Sequence, residues 1–450
     1  MGAKVGEIGP DNAIVHVRLT EIPGQPEPGS RVPGKEGIAR IVYSLHENFK
    51  KSGRTEWLQA KEVEDYSIQF SISELDPGTR IYYRVEMKSS AQGKTFFAGP
   101  YSFKTAPLPE DDELVRFQVT TGQDLRGMDL YNHMASLNPD FLVSTGDNVY
   151  YDKIRASEDD QHLGRTVEQA YISYEKMYGC EQLVQYMSGV GNYFEKDDHD
   201  YRYNDADPYS LGKKFGKKYK EEGAKIYTTE EGVKLDTAWL SHEEGIMVFK
   251  KVFPMSDTTY RTFRWGKGVQ IWLPEGRDFR SSNAMADGPD KTIWGSMQKK
   301  WLKRTILESD AHYRIIVSPT PIIGPDRSAK RDNHADKNGF WTEGQEFLDW
   351  IIENQIENLI IICGDRHWQH HSIGSHGVHE FSCGPTSDLH VQAVPESEHL
   401  DIVYSASRGG FLQVTYEQDS KLHIEFFNQD GNLNNEFSFS GKTLIRPDDK

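Results

Sequence analysis

Short runs that alternate apolar and polar residues fill the first quarter of the chain. Residues 13–19, 38–43 and 66–72 show this period of two, which is typical of half-buried strands. Turns rich in Gly and Pro separate the runs, such as Pro23-Gly24-Gln25-Pro26. Residues 96–103 form the last such strand before the pattern changes. We therefore predict an all-β domain over residues 1–106.

A Pro-Gly turn at Pro77-Gly78 feeds a strand that carries the paired tyrosines Tyr82 and Tyr83. This arrangement resembles the tyrosine-corner region of a fibronectin-type sandwich, so we expect the all-β domain to be fibronectin-like. Residues 107–113 are rich in Pro and acidic side chains and predict a stiff, exposed linker.

Beyond the linker, apolar runs of strand length alternate with stretches of helical period, which predicts an α/β domain over residues 114–450. Strands are expected at 114–120, 141–144, 260–265, 269–273, 313–318, 359–363, 379–382, 411–416 and 422–427. Helices are expected at 128–137, 166–187, 294–309 and 343–354, with a Lys-rich helix or insertion at 210–223.

Composition narrows the classes of function. A chain of 450 residues with 36% hydrophobic content fits two soluble domains. Its net charge of −17 argues against bulk binding of nucleic acid or of anionic membranes. An anionic substrate stays possible, because the charge of a bound metal can dominate a pocket. No apolar run is long enough to predict a transmembrane helix.

The start of the chain and its cysteines bear on the compartment. Met1-Gly2-Ala3-Lys4 does not read as a signal peptide. We expect a secreted or periplasmic protein whose signal is absent from this sequence, with the cytoplasm as the alternative. Cys180, Cys363 and Cys383 are scattered and form neither a disulfide framework nor a zinc spacing.

Two apolar strands end in the same pair of residues. The run 140–145 is followed by Gly146 and Asp147, and the run 359–363 is followed by Gly364 and Asp365. Glycine allows a sharp turn there, and ligands of open α/β sheets bind just past the carboxyl ends of strands. Each Asp taken alone also fits an ordinary turn residue; the repetition favours a shared site.

Other groups suited to a cation stand near these two aspartates. Tyr150 follows Asp147 by three residues, and His367 follows Asp365 by two. The segment 195–200 packs four acids and His199 behind another strand-like run. Such a cluster repels itself unless a cation lies among the acids, although it also fits an exposed acidic loop.

Taken together, Gly146-Asp147-x-x-Tyr150, Asp197-Asp198-His199-Asp200 and Gly364-Asp365-Arg366-His367-Trp368 resemble the calcineurin-like metallophosphoesterases. Within that superfamily they resemble the PhoD-like alkaline phosphatases and phosphodiesterases, over most of residues 114–417. The resemblance implies a β-sandwich flanked by helices, with an all-β domain in front. The implied metal ligands are Asp147, Tyr150, Asp198, Asp365 and His367.

One motif departs from the family. Where the family has Ser-Cys-Gln, this chain reads Thr121-Gly122-Gln123, so the thiolate ligand is missing. The adjacent Asp124 is the candidate replacement ligand.

The resemblance also implies roles for the remaining residues. Two or more metal ions share Asp147, with Fe³⁺ at the Tyr150 site and Ca²⁺, Mn²⁺ or Zn²⁺ beside it. A metal-bridging hydroxide attacks a phosphate monoester or diester, with His199 as general acid and Asp200 orienting it. The expected substrate contacts are Arg366, Arg277, Arg280, Asn204 and His334.

Two other readings compete with a phosphate ester hydrolase. The loss of the thiolate at Gly122 suggests a metal-depleted binding protein on the same fold, which bound-metal stoichiometry would reveal. An esterase with a Ser or Cys nucleophile is disfavoured, because the chain has no Gly-x-Ser-x-Gly motif.

Overall fold

The computed structural model describes residues 2–22, 30–152, 164–214, 223–327, 330–397, 400–441 and 443–445. Its strands are β1 (Lys4–Gly6), β2 (Ala13–Arg18), β3 (Gly37–Ser44), β4 (Gly53–Arg54), β5 (Leu58–Ala60), β6 (Ser67–Ile72), β7 (Arg80–Lys88), β8 (Phe96–Lys104), β9 (Val115–Thr120), β10 (Phe141–Thr145), β11 (Gly191–Glu195), β12 (Lys213–Lys214), β13 (Ile226–Thr228), β14 (Lys234–Asp236), β15 (Arg261–Trp265), β16 (Val269–Leu273), β17 (Tyr313–Ser318), β18 (Leu359–Cys363), β19 (Gln369–Ile373), β20 (His379–Cys383), β21 (Asp401–Ala406), β22 (Gly410–Glu417), β23 (Lys421–Asn428), β24 (Leu433–Ser440) and β25 (Thr443–Ile445). Its helices are α1 (Leu130–Ser136), α2 (Val167–Tyr178), α3 (Glu181–Gly189), α4 (His242–Val252), α5 (Gly295–Glu308) and α6 (Trp341–Glu353).

Two large sheets pack face to face. The first has the order β25-β24-β23-β22-β9-β10-β11-β1-β2-β6, and the second β15-β16-β17-β18-β20-β19-β21. Apolar side chains from both sheets form one buried core, in which the rings of Phe141 and Trp265 lie 4.5 Å apart. The middle strands are parallel and almost entirely buried, as expected of strands covered on both faces.

Helices cover the outer face of each sheet. Apolar residues of α2, α3 and α4 pack on Leu142 and Phe194 of the first sheet. Residues of α5 and α6 pack on Ile316 and Ile361 of the second. This layered, mixed α/β architecture confirms the fold class predicted for the larger part of the chain.

The N-terminal strands join the first sheet. β1 runs parallel to β11, and β2 and β6 extend the sheet beyond it. Gly6 permits this contact, because a Cβ there would lie 2.5 Å from the carbonyl oxygen of Asn192. β3, β4, β5, β7 and β8 form a separate sheet. The first sheet is thus continuous across residue 106, and the domain boundary and fibronectin likeness stay predictions.

Several predicted elements differ in detail. The helix expected at 166–187 is two helices, α2 and α3, which meet at Gly179 and Cys180. In the Lys-rich segment 210–223, β12 pairs with β14, and residues 215–222 lie outside the described part. Pro23-Gly24-Gln25-Pro26 also lies outside it. Helix α4 was not expected; Ser241 and Glu244 form a capping box at its start.

Within the described ranges, no helix is long and apolar enough to cross a membrane.

Candidate metal centre

The carboxyl ends of strands from both large sheets meet at one place. β10 leads to Asp147, β11 leads to Asp197 and Asp198, and β18 leads to Asp365. Gly364 makes the contact between the sheets possible, because a Cβ there would lie 2.6 Å from Thr145 Oγ1. Asp147 and Asp365 have φ angles of 53° and 60°, the left-handed turn that Asp tolerates better than most residues.

Four carboxylates converge at these strand ends. One oxygen each of Asp147, Asp197, Asp198 and Asp365 lies within 4.8 Å of the others, and all four residues are buried. Asp147 Oδ1, Asp197 Oδ2 and Asp198 Oδ1 have no hydrogen-bond partner among the described residues. Buried carboxylate oxygens without donors are costly, and metal coordination is the usual compensation.

The pKa values show how strongly these acids interact. Burial raises the pKa of Asp197 well above its usual value, and burial also raises the pKa of Asp365, to about 7. Burial acts in the same direction on Asp198, but the charges of His199 and Arg277 outweigh it and lower the pKa of Asp198. Full ionisation of the group at neutral pH therefore requires added positive charge.

A phenol and an imidazole adjoin the carboxylates. Tyr150 donates its hydroxyl hydrogen to Asp147 Oδ2 over 2.7 Å, and Tyr150 Oη lies 3.2 Å from His367 Nε2. His367 Nε2 is 3.8 Å from Asp147 Oδ2. The structure thus brings together all five ligands expected from the resemblance, counting Asp198 and Asp365 of the carboxylate group.

Gly122 lies beside Tyr150 and the neighbouring ligands. A Cβ at Gly122 would lie 3.2 Å from Tyr150 Oη. The φ angle of Gly122 is +56°, a region that favours glycine over cysteine. The missing thiolate therefore belongs to this corner of the centre, and the local backbone suits the glycine that replaces it.

Asp124, the candidate replacement for the thiolate, is paired with Arg126. Its carboxylate accepts hydrogen bonds from the Arg126 guanidinium over 2.9 and 2.6 Å, and it lies outside the converging carboxylates. His390, which the sequence analysis missed, also lies here: its ring centroid is 4.1 Å from that of His367 and 4.7 Å from that of Tyr150, and its Nδ1 is 3.9 Å from Asp124 Oδ2. No feature of the sequence indicated His390, because this histidine belongs to no motif.

His199 is held by a residue that the sequence analysis did not single out. Its Nδ1 lies 2.5 Å from Asp152 Oδ1, while its Nε2 is 3.9 Å from Asp198 Oδ1. Asp200, the expected partner, instead accepts hydrogen bonds from the backbone N–H of Asp197 and from Asn148. Asp152 stands two residues after Tyr150, so its position in the motif was the available signal.

The three predicted arginines are buried and already engaged with acidic residues or backbone. Arg277 donates to Asp197 Oδ1 over 2.8 and 2.5 Å, and Arg366 pairs with Asp365 and Asp326. Arg280 donates to the carbonyl of Asp332. Burial, followed by the charge of Arg277, lowers the pKa of Arg280 to about 10.

Of the two remaining predicted substrate contacts, His334 faces away from the carboxylates and Asn204 lies at the rim beside Asp152. His334 Nε2 is 3.0 Å from Glu343 Oε2, and its ring packs on Trp294, so it faces the helix layer. Asn204 is exposed, and its backbone N–H donates to Asp152 Oδ2 over 2.9 Å. His334 was predicted to contact substrate only because it lies in a loop. Its side chain instead packs against Glu343 of α6.

A lysine missed by the sequence analysis adds positive charge near the carboxylates. Lys330 Nζ lies 2.5 Å from Asp205 Oδ1 and 3.8 Å from Asp332 Oδ1. The backbone N–H of Asp205 in turn donates to Asp198 Oδ2 over 2.5 Å. No local pattern marked Lys330, because its nearer partner, Asp205, lies in a distant segment of the chain.

Comparisons with known proteins agree with this geometry. The family model described as PhoD-like phosphatase matches residues 117–434. Alkaline phosphatase D of Bacillus subtilis (strain 168) is 21% identical over 406 residues, which cover 82% of this chain and 64% of that protein. The chain thus spans less than two thirds of the length of this curated relative.

Solved structures share the fold. A structure of PhoD has a TM-score of 0.75 at 15% identity, covering 99% of this chain and 91% of that chain. A purple acid phosphatase from yellow lupin (Lupinus luteus) seeds has a TM-score of 0.61 at 11% identity, covering 97% of this chain and 74% of that chain.

Proposed function

Because the chain belongs to the PhoD-like phosphatase family, we propose that it hydrolyses phosphate monoesters or diesters at the converging strand ends. The observation that carries the proposal is the set of buried carboxylate oxygens without donors on Asp147, Asp197 and Asp198. A protein that used this fold only for binding would have no need to keep such costly groups.

The residues present fit a pair of cations. Asp147 stands between the two donor sets: Tyr150 and His367 on one side, Asp198 and Asp365 on the other. We assign the first set to Fe³⁺, because phenolate is a hard, anionic ligand, and the second to Ca²⁺, Mn²⁺ or Zn²⁺. When bound, such ions lower the pKa of a water molecule and attract phosphate oxygens.

His199 is the proposed general acid. An ionised Asp152 accepts hydrogen bonds only, so Nδ1 of His199 carries a hydrogen toward it. Nε2, on the side of Asp198, is then the nitrogen that delivers a proton to the leaving oxygen. Asp152 also stabilises the imidazolium form that this role requires.

Positive side chains balance the acids around the substrate. Arg277, Arg366 and Lys330 each pair with a carboxylate of the centre or of its rim. We propose that Arg366 supplies positive charge to the phosphate, because a cation held by Asp365 would neutralise the carboxylate that Arg366 now faces. Lys330, which faces Asp205 and Asp332, would add positive charge at the rim.

Metal content and hydrolysis together test the proposal. The purified protein, reconstituted with Fe³⁺ and Mn²⁺, is assayed for bound metal and for turnover of p-nitrophenyl phosphate and bis-p-nitrophenyl phosphate. We expect two ions per chain and turnover of at least one ester, with Asp147→Asn losing activity and at least one ion. Asp349→Asn, on the exposed side of α6, is the matched control and should change neither.

Two results would count against the proposal. Protein that binds no metal after reconstitution and turns over neither ester would favour the metal-depleted binding protein. Near-full turnover by Asp147→Asn with two bound ions would reject the site assignment.

A further inference from the structure

A second group of potential metal ligands lies on the outer face of the second sheet. Cys363 ends β18, His370 lies on β19 and Glu380 lies on β20, and β20 pairs with both of the other strands. Their neighbours Ile362 and Phe381 face the core between the sheets, so strand alternation directs these three side chains to the opposite face. All three residues are fully buried.

The three side chains converge. One ligand atom of each, the thiol sulfur, a ring nitrogen and a carboxylate oxygen, lies within 4.8 Å of the others. His370 Nε2 is 3.7 Å from Glu380 Oε1. None of the three residues belongs to the strand-end carboxylate group.

His370 lacks the partners that a buried imidazole normally has. Neither of its ring nitrogens has a hydrogen-bond partner among the described residues. A neutral imidazole has one donor and one acceptor, and burying each unpaired costs about 1–3 kcal/mol. An unpaired group of this kind in a native protein points to a bound species.

Glu380 is held in place by backbone donors. The backbone N–H groups of Ile322, Ile323 and Gly324 donate to its two oxygens over 2.7, 3.0 and 2.7 Å. These donors fix the direction of the carboxyl group, as outer hydrogen bonds do around metal ligands. An oriented carboxyl group therefore lies beside the unpaired imidazole and the thiol.

We propose that Cys363, His370 and Glu380 bind one divalent metal ion of the zinc class. Thiolate, imidazole and carboxylate are the ligands that zinc takes, whereas the strand-end group offers mainly oxygen. On coordination the Cys363 thiol releases its proton to solvent. The ion joins three strands to the loop that follows β17, so its role is structural.

A thiolate signal distinguishes this ion from the catalytic ones. Because the chain has Gly122 where the family has cysteine, a thiolate-to-Co²⁺ absorption band cannot come from the strand-end centre. We expect the Co²⁺-loaded full chain to show such a band in the near ultraviolet, and Cys363→Ser to lose it. Cys383→Ser, at another buried cysteine, and Cys180→Ser should keep it, as should Asp147→Asn.

X-ray absorption of the Zn²⁺-loaded wild-type chain removes any dependence on variants that fail to fold. The proposal predicts a sulfur ligand about 2.3 Å from zinc. Zinc without a sulfur ligand, or a cobalt band unchanged by Cys363→Ser, would overturn it. A buried water between His370 and Glu380 would then account for the cluster.

Discussion

Asp152 Oδ1 lies 2.5 Å from Nδ1 of His199, and both side chains are buried. The other oxygen of Asp152 accepts from the backbone N–H of Asn204 over 2.9 Å and lies 3.4 Å from Lys213 Nζ. Asp152 is thus fixed from several directions, and it fixes the imidazole in turn. Two predictions follow from this pair and two from other sites.

His199→Ala should slow alkyl phosphate esters far more than p-nitrophenyl esters. A general acid matters most where the leaving oxygen is basic, and its loss costs about 100-fold or more. The ratio of kcat/KM for the two substrate types measures the effect. Equal losses for both would leave His199 as a ligand or packing residue.

Asp152→Asn should keep the shape of the site and remove the charge that stabilises the imidazolium. We expect about a 10-fold loss on alkyl esters and a shift of the alkaline limb of kcat to lower pH, because His199 then gives up its proton more easily. Asp200→Asn is the matched comparison and should leave that limb in place. The same shift in both variants would remove the orienting role from Asp152.

Tyr150→Phe tests the ferric assignment. A phenolate bound to Fe³⁺ absorbs visible light, so the oxidised, iron-loaded protein should be coloured, and this variant should lose the band and some activity. Tyr151→Phe, at the neighbouring buried tyrosine, should keep both. A colourless, iron-free protein that is fully active with Ca²⁺, Mn²⁺ or Zn²⁺ would reject iron and retain the hydrolase.

Lys4 should make stability depend on pH. It lies on β1, fully buried, and donates to the carbonyl of Val252 over 2.9 Å. Burial, followed by the charge of Arg18, lowers its pKa from 10.5 to about 7. Within that window the unfolded chain keeps a proton that the folded chain has released, so stability rises with pH.

Lys4→Met should remove this dependence of stability on pH. Denaturant unfolding should show the wild type gaining stability relative to the variant as pH rises through the window. Lys88→Met, at a partly exposed lysine, is the control and should show no such trend. A stability difference between wild type and Lys4→Met that does not change with pH would contradict the assignment.

The strand ends of the metal centre were predictable because their signal is local. Apolar runs that end in Gly146-Asp147 and Gly364-Asp365 specify a strand and a sharp turn without reference to the rest of the chain. Several of the metal ligands that the resemblance implies lie at or just after those turns, and the structure brings them together.

Choices of partner were not predictable, because both neighbouring and distant residues compete for each side chain. Asp124 pairs with Arg126 instead of joining the carboxylates, and His334 faces Glu343 of α6. Lys330 finds Asp205, 125 residues away in the chain, only once the two segments have packed. The partner that each of these side chains takes depends on how it is buried, and no local pattern encodes that burial.

The sequence by itself determined the alternating strands and helices and the chemistry of the strand ends, since both depend on residues near one another in the chain. Only the tertiary structure decided that β1 continues the first sheet and that Cys363, His370 and Glu380 share one face. Scattered cysteines showed no zinc spacing in the sequence, because neighbouring strands, rather than neighbouring residues, bring these ligands together.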